Sequence, residues 1–446
     1  MEECPSIYAE LLLNIRQIAI YISFPAEKTA AESSENKAEP TECTLQLADS
    51  GDSISLCYGG RTLNFNLPAR VAPSFASMLQ SHELPTWPCR EAQTVSFRVP
   101  ASLPSHVTGI KEDLSMGHAW SARDMDISAR ICCRNCHHEL VHSRIDLTDD
   151  AKLPKALCWK DLPSADWAEL MELWHCHKPD EPHGEHEHDV NGNVKGYGAS
   201  NQVVCNPGDV LVDVTSFYAS EVNCSVIKEM DQQSAENATE TIQSLSCPSC
   251  NAVIGETAPL LRGFRIFKAR TAVRRTPHST TGETVWQAVP VGTLVAAQLL
   301  EFAERIGVRR FAIYPVTIGQ KGPADDTSGT LIWLFNTEMR YTSSLTAPHP
   351  TQAVKVLYHE LSPAELLRVV KPPASVPSLI SVEEVPLPET IYQDLVAALL
   401  ESQMKTLPVE ARTVSLGAPT QKQKWNVALL DSSHEMVSLE HSDRLT

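Results

Sequence analysis

The stretch ICCRNCHHEL, residues 131–140, holds three cysteines and two histidines within ten positions. In it, Cys133 and Cys136 form a C-x-x-C pair, whose turn directs both thiolates to one side. The only other C-x-x-C pair in the sequence, CPSC, is formed by Cys247 and Cys250, and an apolar strand start follows each pair. Two such pairs supply four sulfur ligands, the donor set of a closed tetrahedral structural zinc site. The sequence therefore predicts a four-cysteine zinc site, with the 110 residues between the pairs forming a large insertion.

Two other interpretations of these cysteines remain open. The pairs could be metal-free thiols at turns, or redox pairs, although neither lies where a strand clearly leads into a helix. Cys132 directly precedes Cys133, and alternation along an extended strand points its side chain the other way. We therefore expect Cys132 to be a small core residue, and His137 and His138 to lie outside the metal site.

Composition divides the 446 residues into three regions. Residues 1–130 are predicted to be β-rich, because apolar and polar residues alternate between turns such as Asp-Ser-Gly-Asp and Gly-Gly. Residues 131–265 carry nine of the thirteen cysteines and are predicted to be a zinc-stapled region. Residues 266–446 contain no cysteine and mix predicted helices with predicted strands. Together these regions predict an α+β fold with antiparallel sheets.

Helix signals are clearest in the C-terminal region. GTLVAAQLLEFAERIG has apolar residues at helical spacing and ends at Gly307, a natural helix stop. Ser362, Pro363 and Glu365 follow the pattern of an N-cap, a first helical position and a capping box. A longer amphipathic helix is predicted for residues 388–407. Strands are predicted for VRRFAIYPV, GTLIWLFN, AVKVLYHEL and KWNVALLD.

The charge of the chain argues against a nucleic-acid partner, because a net charge of −18 does not neutralise phosphates. The one basic run, residues 262–275, alternates apolar and basic residues and is predicted to be a strand with one solvated face. Residues 8–24 are apolar but contain Glu10 and Arg16, so we expect no membrane span there, and they lack the features of a signal peptide. The predicted location is the cytosol, the nucleus or both, where cysteines are usually free or metal-bound.

A further candidate site lies inside the insertion, at residues 162–180. A helix capped by Ser164 is predicted there, and His175, Cys176 and His177 follow at its end. One interpretation is structural, since imidazolium groups are favoured near a helix C-terminus. The other is functional: these residues bind a metal, or the histidines lower the pKa of the Cys176 thiol and make it nucleophilic.

Several motifs in combination resemble one protein family. In chain order they are CRNC, LPSADWAELMELWHCH, GDVLVDVTSFY, CPSCNAVIGE, TLIWLFNTEMRY and AVKVLYHE. This order resembles the HECT-like ubiquitin-conjugating enzyme (E2)-binding family, described as E3 ubiquitin-protein ligases. The resemblance runs from about residue 131 to 360, and more loosely over the whole chain. By this resemblance, Cys176 and His177 match the family's C-H pair, and the two C-x-x-C pairs match those of the family.

The resemblance implies three partners, namely an E2, ubiquitin and a protein substrate, while the sequence restricts the mechanism. A HECT ligase carries ubiquitin as a thioester on a cysteine near its C-terminus, whereas no cysteine follows Cys250 here. Three mechanisms stay open: positioning of a charged E2, covalent transfer through Cys176 with His177 beside it, or a non-catalytic zinc-stabilised scaffold. Family members have also been linked to the mRNA 3′-end processing machinery, which would suit the scaffold.

Overall fold

The fold is given by a computed structural model. The described residues are 4–25, 43–75, 94–103, 119–143, 156–162, 203–224, 228–229, 242–275, 285–320, 322–372, 381–417, 422–432 and 437–439. They form a β-rich α+β structure with few helices, which agrees in outline with the predicted fold class.

The elements are numbered in chain order. Three helices lie wholly within the described residues: α1 (Val291–Ile306), α2 (Pro363–Val370) and α3 (Glu389–Glu401). A π-helical turn at Ser402–Thr406 extends α3, and residues 73–75 are also helical. The described strands are β1 (Ser6–Leu12), β2 (Gln17–Ser23), β3 (Cys43–Leu47), β4 (Ser53–Tyr58), β5 (Arg61–Asn66), β6 (Arg70–Val71), β7 (Thr94–Ser102), β8 (Arg130–Cys133), β9 (Cys158–Asp161), β10 (Asp209–Val212), β11 (Ser216–Ala219), β12 (Lys228–Glu229), β13 (Ser244–Ser246), β14 (Val253–Ala258), β15 (Gly263–Phe267), β16 (Thr271–Arg275), β17 (Val285–Ala288), β18 (Arg310–Val316), β19 (Gly329–Ser343), β20 (Ala347–Leu361), β21 (Glu383–Pro388), β22 (Thr413–Leu416), β23 (Gln423–Asp431) and β24 (Val437–Leu439).

The chain folds into two compact units. Unit 1 comprises Met1–His118 and Pro290–Glu435, and unit 2 comprises Ala119–Val289 and Met436–Thr446. Unit 1 is therefore assembled from chain on both sides of a long continuous stretch that belongs to unit 2. The division into three regions by composition is a separate statement about sequence segments and stays a prediction.

Unit 1 is built on one large sheet. Within the described residues its strand order is β22-β23-β20-β19-β1-β2-β7-β6, and β18 pairs with both β19 and β21. The apolar N-terminal run forms the β1–β2 hairpin in the middle of this sheet. Its side chains alternate, so Ile7 and Ala9 enter one apolar cluster and Tyr8 enters another. None of the helices in the described part of the chain has the length and apolar character needed to cross a bilayer.

The local signals of the sequence are confirmed in unit 1. α1 ends at Gly307, whose φ of 72° is a left-handed conformation that glycine adopts without strain. Ser362 donates from its Oγ and its backbone N–H to the Glu365 carboxylate, at 2.6 and 2.9 Å, which forms the predicted capping box at the start of α2. The two predicted hairpin turns connect β3 to β4 and β4 to β5 in a three-stranded sheet.

Unit 2 contains two smaller sheets. Within the described residues their strand orders are β12-β13-β14-β15-β11-β10-β9 and β24-β17-β16-β8. The described pairs of the seven-stranded sheet are antiparallel except β9 with β10, which run parallel. The segment GDVLVDVTSFYAS forms the β10–β11 hairpin.

The basic run at residues 262–275 is not one half-solvated strand, so that prediction was wrong. It supplies β15 to one sheet and β16 to the other, and a 3₁₀ turn at Lys268–Arg270 forms the corner between them. The side chain of Lys268 is fully buried, and its Nζ donates to the carbonyls of Ala119 and Trp120 at 2.9 and 3.3 Å. The alternation of apolar and basic residues continues through this corner. The chain changes sheets there, and the basic side chain of Lys268 is buried in the core.

Candidate metal centre

Four cysteines from the two sheets of unit 2 converge on one point. Cys133 ends β8 in the four-stranded sheet, and Cys136 follows in the turn after it. Cys247 and Cys250 lie in the turn that joins β13 to β14 in the seven-stranded sheet. Their Sγ atoms all lie within 4.8 Å of one another, so the group could hold a metal ion.

The two turns have the same backbone geometry. The Cys133 N–H donates to the His138 carbonyl at 2.8 Å, and the Cys133 carbonyl accepts from the N–H of His137, also at 2.8 Å. In the second turn the Cys247 N–H donates to the Ala252 carbonyl, and the Cys247 carbonyl accepts from the Asn251 N–H, both at 2.9 Å. The fifth residue of each turn is left-handed, with φ of 60° and 58° respectively. Each turn thus folds its two thiols toward the same side by local hydrogen bonds.

The sulfur separations fit a tetrahedral metal ion. Cys133 Sγ lies 3.6 Å from Cys250 Sγ, and Cys136 Sγ lies 3.5 Å from Cys247 Sγ. Zinc with Zn–S bonds of about 2.3 Å in a tetrahedron would place its sulfurs about 3.8 Å apart. A disulfide would require about 2.05 Å, and all four cysteines carry free thiols.

Burial and hydrogen bonding act in opposite directions on these thiols. Burial raises the pKa of Cys133 and of Cys247, while peptide N–H groups of the same turns oppose that rise. At Cys250 burial also raises the pKa, but the Asn135 side chain, the Ala252 N–H and the neighbouring thiols outweigh it and lower the pKa to about 7. Donors directed at sulfur stabilise thiolates, which are the form that binds metal.

The chemistry available to this group is structural. Four thiolates fill the coordination sphere of a zinc ion, whereas a catalytic zinc keeps one position open for water or substrate. Because two ligands come from each sheet, the bound ion would hold the two sheets of unit 2 together at this point.

The neighbours of the cluster lie where the sequence predicts them. Cys132 is fully buried, is not one of the four converging cysteines, and directs its Sγ toward the Arg130 carbonyl at 3.8 Å. His137 is also outside the group, and its ring stacks on Trp286 with centroids 4.2 Å apart. Nothing in the local sequence indicates this stacking partner, because Trp286 comes from β17.

Glu139 is a site residue that the sequence did not indicate. Its carboxylate lies 3.1 Å from Arg274 on β16, 3.7 Å from Arg130 on β8 and 3.5 Å from His142. These side chains are about one quarter to two fifths exposed, so each pair contributes little to stability. Arg130 and Arg274 are cross-strand partners, and the Glu139 carboxylate contacts both of them beside the first cysteine pair. The adjacent basic residues Arg274 and Arg275 at the end of β16 were the available signal.

The other predicted site residues, Cys176 and His177, lie outside the described residues, as do His175 and the helix predicted after Ser164. Two further described cysteines can be assessed. Burial raises the pKa of Cys205 to about 11 and that of Cys224 to about 12. Thiols in this state are protonated at neutral pH and are poor nucleophiles.

Comparison with known proteins agrees with these motifs. A family model described as HECT-like Ubiquitin-conjugating enzyme (E2)-binding matches residues 10–417 of the 446-residue chain. No curated protein and no solved structure gives a significant match. The matched region includes strand β2, the four-cysteine cluster and helices α1, α2 and α3. The chain belongs to the HECT-like ubiquitin-conjugating enzyme (E2)-binding family.

Proposed function

We propose that this protein is an E3 ubiquitin-protein ligase of the cytosol or nucleus, which binds a charged E2 and promotes ubiquitin transfer to protein substrates. The observation that carries the proposal is the family match over residues 10–417. Binding of an E2 is the property that the family description names, and substrate transfer is the step added here.

The proposal includes a structural zinc ion at Cys133, Cys136, Cys247 and Cys250. Sulfur separations of 3.5 and 3.6 Å and hydrogen-bond donors around the sulfurs support it. Soft thiolate ligands in this number select zinc over hard cations such as magnesium. The ion would stabilise unit 2 and take no part in the transfer reaction.

The transfer step has two possible routes. In the covalent route, the Cys176 thiolate attacks the carbonyl carbon of the E2–ubiquitin thioester and the E2 thiolate leaves. A substrate lysine amine then attacks the new thioester, and Cys176 leaves as a thiolate. His177 would accept the thiol proton. In the second route the protein positions the charged E2, and the substrate amine attacks the E2 thioester directly. The raised thiol pKa values of Cys205 and Cys224 disfavour either as the acceptor.

An E2 discharge assay tests the proposal. Purified protein is mixed with a panel of charged E2s, and loss of the E2–ubiquitin thioester is followed over time. We expect accelerated discharge of at least one E2 and ubiquitin chains that depend on that E2. Rates equal to buffer for every E2 of a broad panel would contradict ligase activity.

A thioester trap separates the two routes. Wild type, Cys176→Ala and the matched control Cys158→Ala, which changes an exposed cysteine of β9, are reacted with charged E2. The covalent route gives a ubiquitin adduct that reducing agent removes and that only Cys176→Ala abolishes. Accelerated discharge with no adduct in any of the three proteins supports positioning of the E2.

A second candidate is a non-catalytic zinc-stabilised scaffold, for example an assembly factor in mRNA 3′-end processing. The observation that favours it is the cluster itself, because four sulfur ligands leave no coordination position for a substrate. A scaffold predicts that complexes isolated with the full chain persist in Cys176→Ala and are lost in Cys247→Ser. Equal loss in both variants would count against the scaffold.

A further inference from the structure

The end of α3 carries a cluster of exposed apolar side chains. Twelve large apolar side chains are exposed within the described part of the chain, and most of them stand apart from one another. Leu400, Met404 and Val409 instead lie within one stretch of ten residues, and their exposed fractions are 48%, 58% and 66%. Leu400 and Met404 are four residues apart, so they share one face of the helix end. Single exposed apolar side chains are ordinary, whereas a cluster of them marks an interaction site.

A π-helical turn sets the direction of these side chains. The buried positions of α3 repeat every four residues and continue into this turn: Ile391, Leu395, Leu399 and Gln403. This spacing exceeds the 3.6 residues of an α-helical turn, and the wider turn at its end keeps Gln403 directed at the sheet. Met404, the next residue, is thereby directed at solvent. Turns of this kind are rare and are found frequently at functional sites.

Hydrogen bonds fix the π-helical turn on the unit 1 sheet. The Gln403 side chain accepts from Tyr358 Oη at 2.9 Å and donates to the Arg412 carbonyl at 2.8 Å. The Leu429 N–H of β23 donates to Ser402 Oγ at 2.8 Å. The exposed apolar side chains therefore lie on a fixed support, so a partner could bind them without first ordering this part of the chain.

Arg412 joins the π-helical turn to the 3₁₀ turn at Val409–Ala411. Its Nη2 donates to the Met404 carbonyl at 2.8 Å, and its Nε donates to the Leu407 carbonyl at 3.1 Å. Its backbone N–H donates to the Val409 carbonyl at 3.3 Å. Val409 is thus held close to Met404, and the three exposed apolar side chains belong to one surface.

The charges around this surface are mostly acidic. Between residues 389 and 411 the exposed charged side chains are those of Glu389, Asp394, Glu401, Lys405 and Glu410. All except Lys405 are carboxylates, and the Lys405 ammonium lies 2.6 Å from the Glu401 carboxylate. A protein that docks here with complementary charge must present apolar side chains bordered by lysine or arginine.

We propose that the surface formed by Leu400, Met404 and Val409 is the docking surface for the E2, which contacts it through an apolar face bordered by basic side chains. This assignment rests on the proposed function, because that function requires an E2 to bind. All three residues lie within the region 10–417 that matches the E2-binding family. In the described part of the chain, no other stretch of ten residues contains two exposed large apolar side chains.

Binding measurements on the full-length chain test this docking surface. A panel of purified E2s is titrated against wild type, the double variant Leu400→Lys/Met404→Lys and the matched control Leu367→Lys. Lysine is a good helix former, removes the apolar contact and repels a basic partner. Leu367 is a leucine of α2 exposed by 43%. Its neighbour Leu366 packs with Leu357, whereas Gln403 after α3 contacts Tyr358, so the two helices lie on opposite faces of the sheet.

We expect the Kd for the E2 to rise at least about tenfold in the double variant and less than about twofold in the control. Wild-type affinity should also fall as salt is raised from about 0.05 to 0.5 M, because salt screens the charges at the border. The double variant must keep the thermal transition of wild type. If it does not, Val409→Lys, a change at a side chain exposed by 66%, takes its place.

The outcomes separate this docking surface from the proposed function. If wild type binds no E2 of the panel, the proposed function is contradicted and the docking surface is rejected with it. If wild type and the double variant bind an E2 equally tightly, or if the control loses as much affinity, the docking surface alone is overturned. An affinity that does not change with salt overturns the basic border of the E2 face.

Two further probes detect a different occupant of this surface. Free ubiquitin is titrated against the same variants, and the mass of the full-length chain is measured over a range of concentrations. If the double variant loses ubiquitin binding or a dimer while its E2 affinity is unchanged, the surface binds ubiquitin or a second copy of the chain. Either result overturns the assignment to the E2.

Discussion

The two units bury their apolar side chains with strands of different lengths. In unit 1, β19 and β20 are 15 residues long and pair along most of their length. In unit 2 the described strands have two to six residues each. Long strands bury apolar clusters on both faces of the unit 1 sheet. Short strands bury less area, and hydrophobic stabilisation scales with buried area. We infer that the stability of unit 2 depends on its cysteine cluster, whereas the stability of unit 1 depends on its apolar core.

Removal of one cluster thiol should give the largest difference between the two units, because it should destabilise unit 2 and leave unit 1 unchanged. In Cys247→Ser, zinc content should fall from about one per chain, and unit 2 should lose on the order of 10 kcal/mol of metal-linked folding free energy. Metal analysis and hydrogen exchange measure the two effects, and exchange should rise in β13 to β16 and stay low in β19 and β20. Cys132→Ala is the matched control, since it removes an adjacent buried thiol outside the cluster and should keep the zinc. Wild-type protein with far less than one zinc per chain would contradict the structural metal.

The reverse experiment targets unit 1. Glu10 is buried in β1 and accepts from Lys355 Nζ at 2.8 Å and from Tyr8 Oη at 2.9 Å. Glu10→Ala leaves the Lys355 amine, whose side chain is only 16% exposed, without its carboxylate partner, so we expect a loss of about 3 kcal/mol in the free energy of unfolding. Zinc content should not change. Lys405→Ala, which breaks an ion pair exposed by 66% and 63%, is the control and should cost at most about 0.5 kcal/mol. Equal losses in the two variants, by urea unfolding, would contradict a special role for the buried pair.

The corner of unit 2 should make stability depend on pH. Burial lowers the pKa of Lys268 to about 7, against about 10.4 in an unfolded chain. Between these values the unfolded state binds more protons, so this group makes stability rise with pH and makes it fall as pH approaches 7. The contribution is at most about 1.4 kcal/mol per pH unit. Lys268→Met should remove this slope between pH 7.5 and 9.5. Identical slopes for wild type and variant in urea titrations would show that Lys268 is charged in the folded state.

The smallest expected effect concerns a purely local feature of unit 1. Ser362→Ala removes the Oγ that donates to Glu365 and should cost about 1 kcal/mol. A lowered thermal midpoint with unchanged zinc content would fit a cap that acts only on α2. A change in zinc content would show that loss of this cap also affects unit 2, which would contradict the separate stabilisation of the two units.

Features encoded within a few residues were predictable from the sequence. The capping box needs only Ser362, Pro363 and Glu365, and the stop of α1 needs only Gly307. The cysteine cluster was accessible for a related reason: each C-x-x-C turn is a local structure, and the two have matching surroundings. The pairing of the turns across 110 residues followed from ligand count, since two sulfurs do not close a zinc site.

Features that depend on distant partners were not predictable. The alternation of the N-terminal run does not reveal that β1 pairs with β19, because any apolar strand could take that place. The basic run was misread because side-chain alternation persists where the chain leaves one sheet and enters the next at Lys268. The buried amine is compensated by carbonyls of Ala119 and Trp120, which no local pattern connects to it. The assignment of Cys176 and His177 stays a prediction.

The position of β1 in the middle of the unit 1 sheet has a consequence for synthesis of the chain. Tyr8 of β1 pairs with Ser343 of β19, so β1 has no β19 partner until more than 330 further residues have been synthesised. At 5–20 residues per second the synthesis of these residues takes about 17–67 s. Most of unit 2 has been made by then and can fold first. During that interval the N-terminal hairpin keeps one strand edge unpaired, the kind of edge that promotes aggregation. Slower translation would lengthen this exposure, so the yield of folded protein should depend on elongation rate.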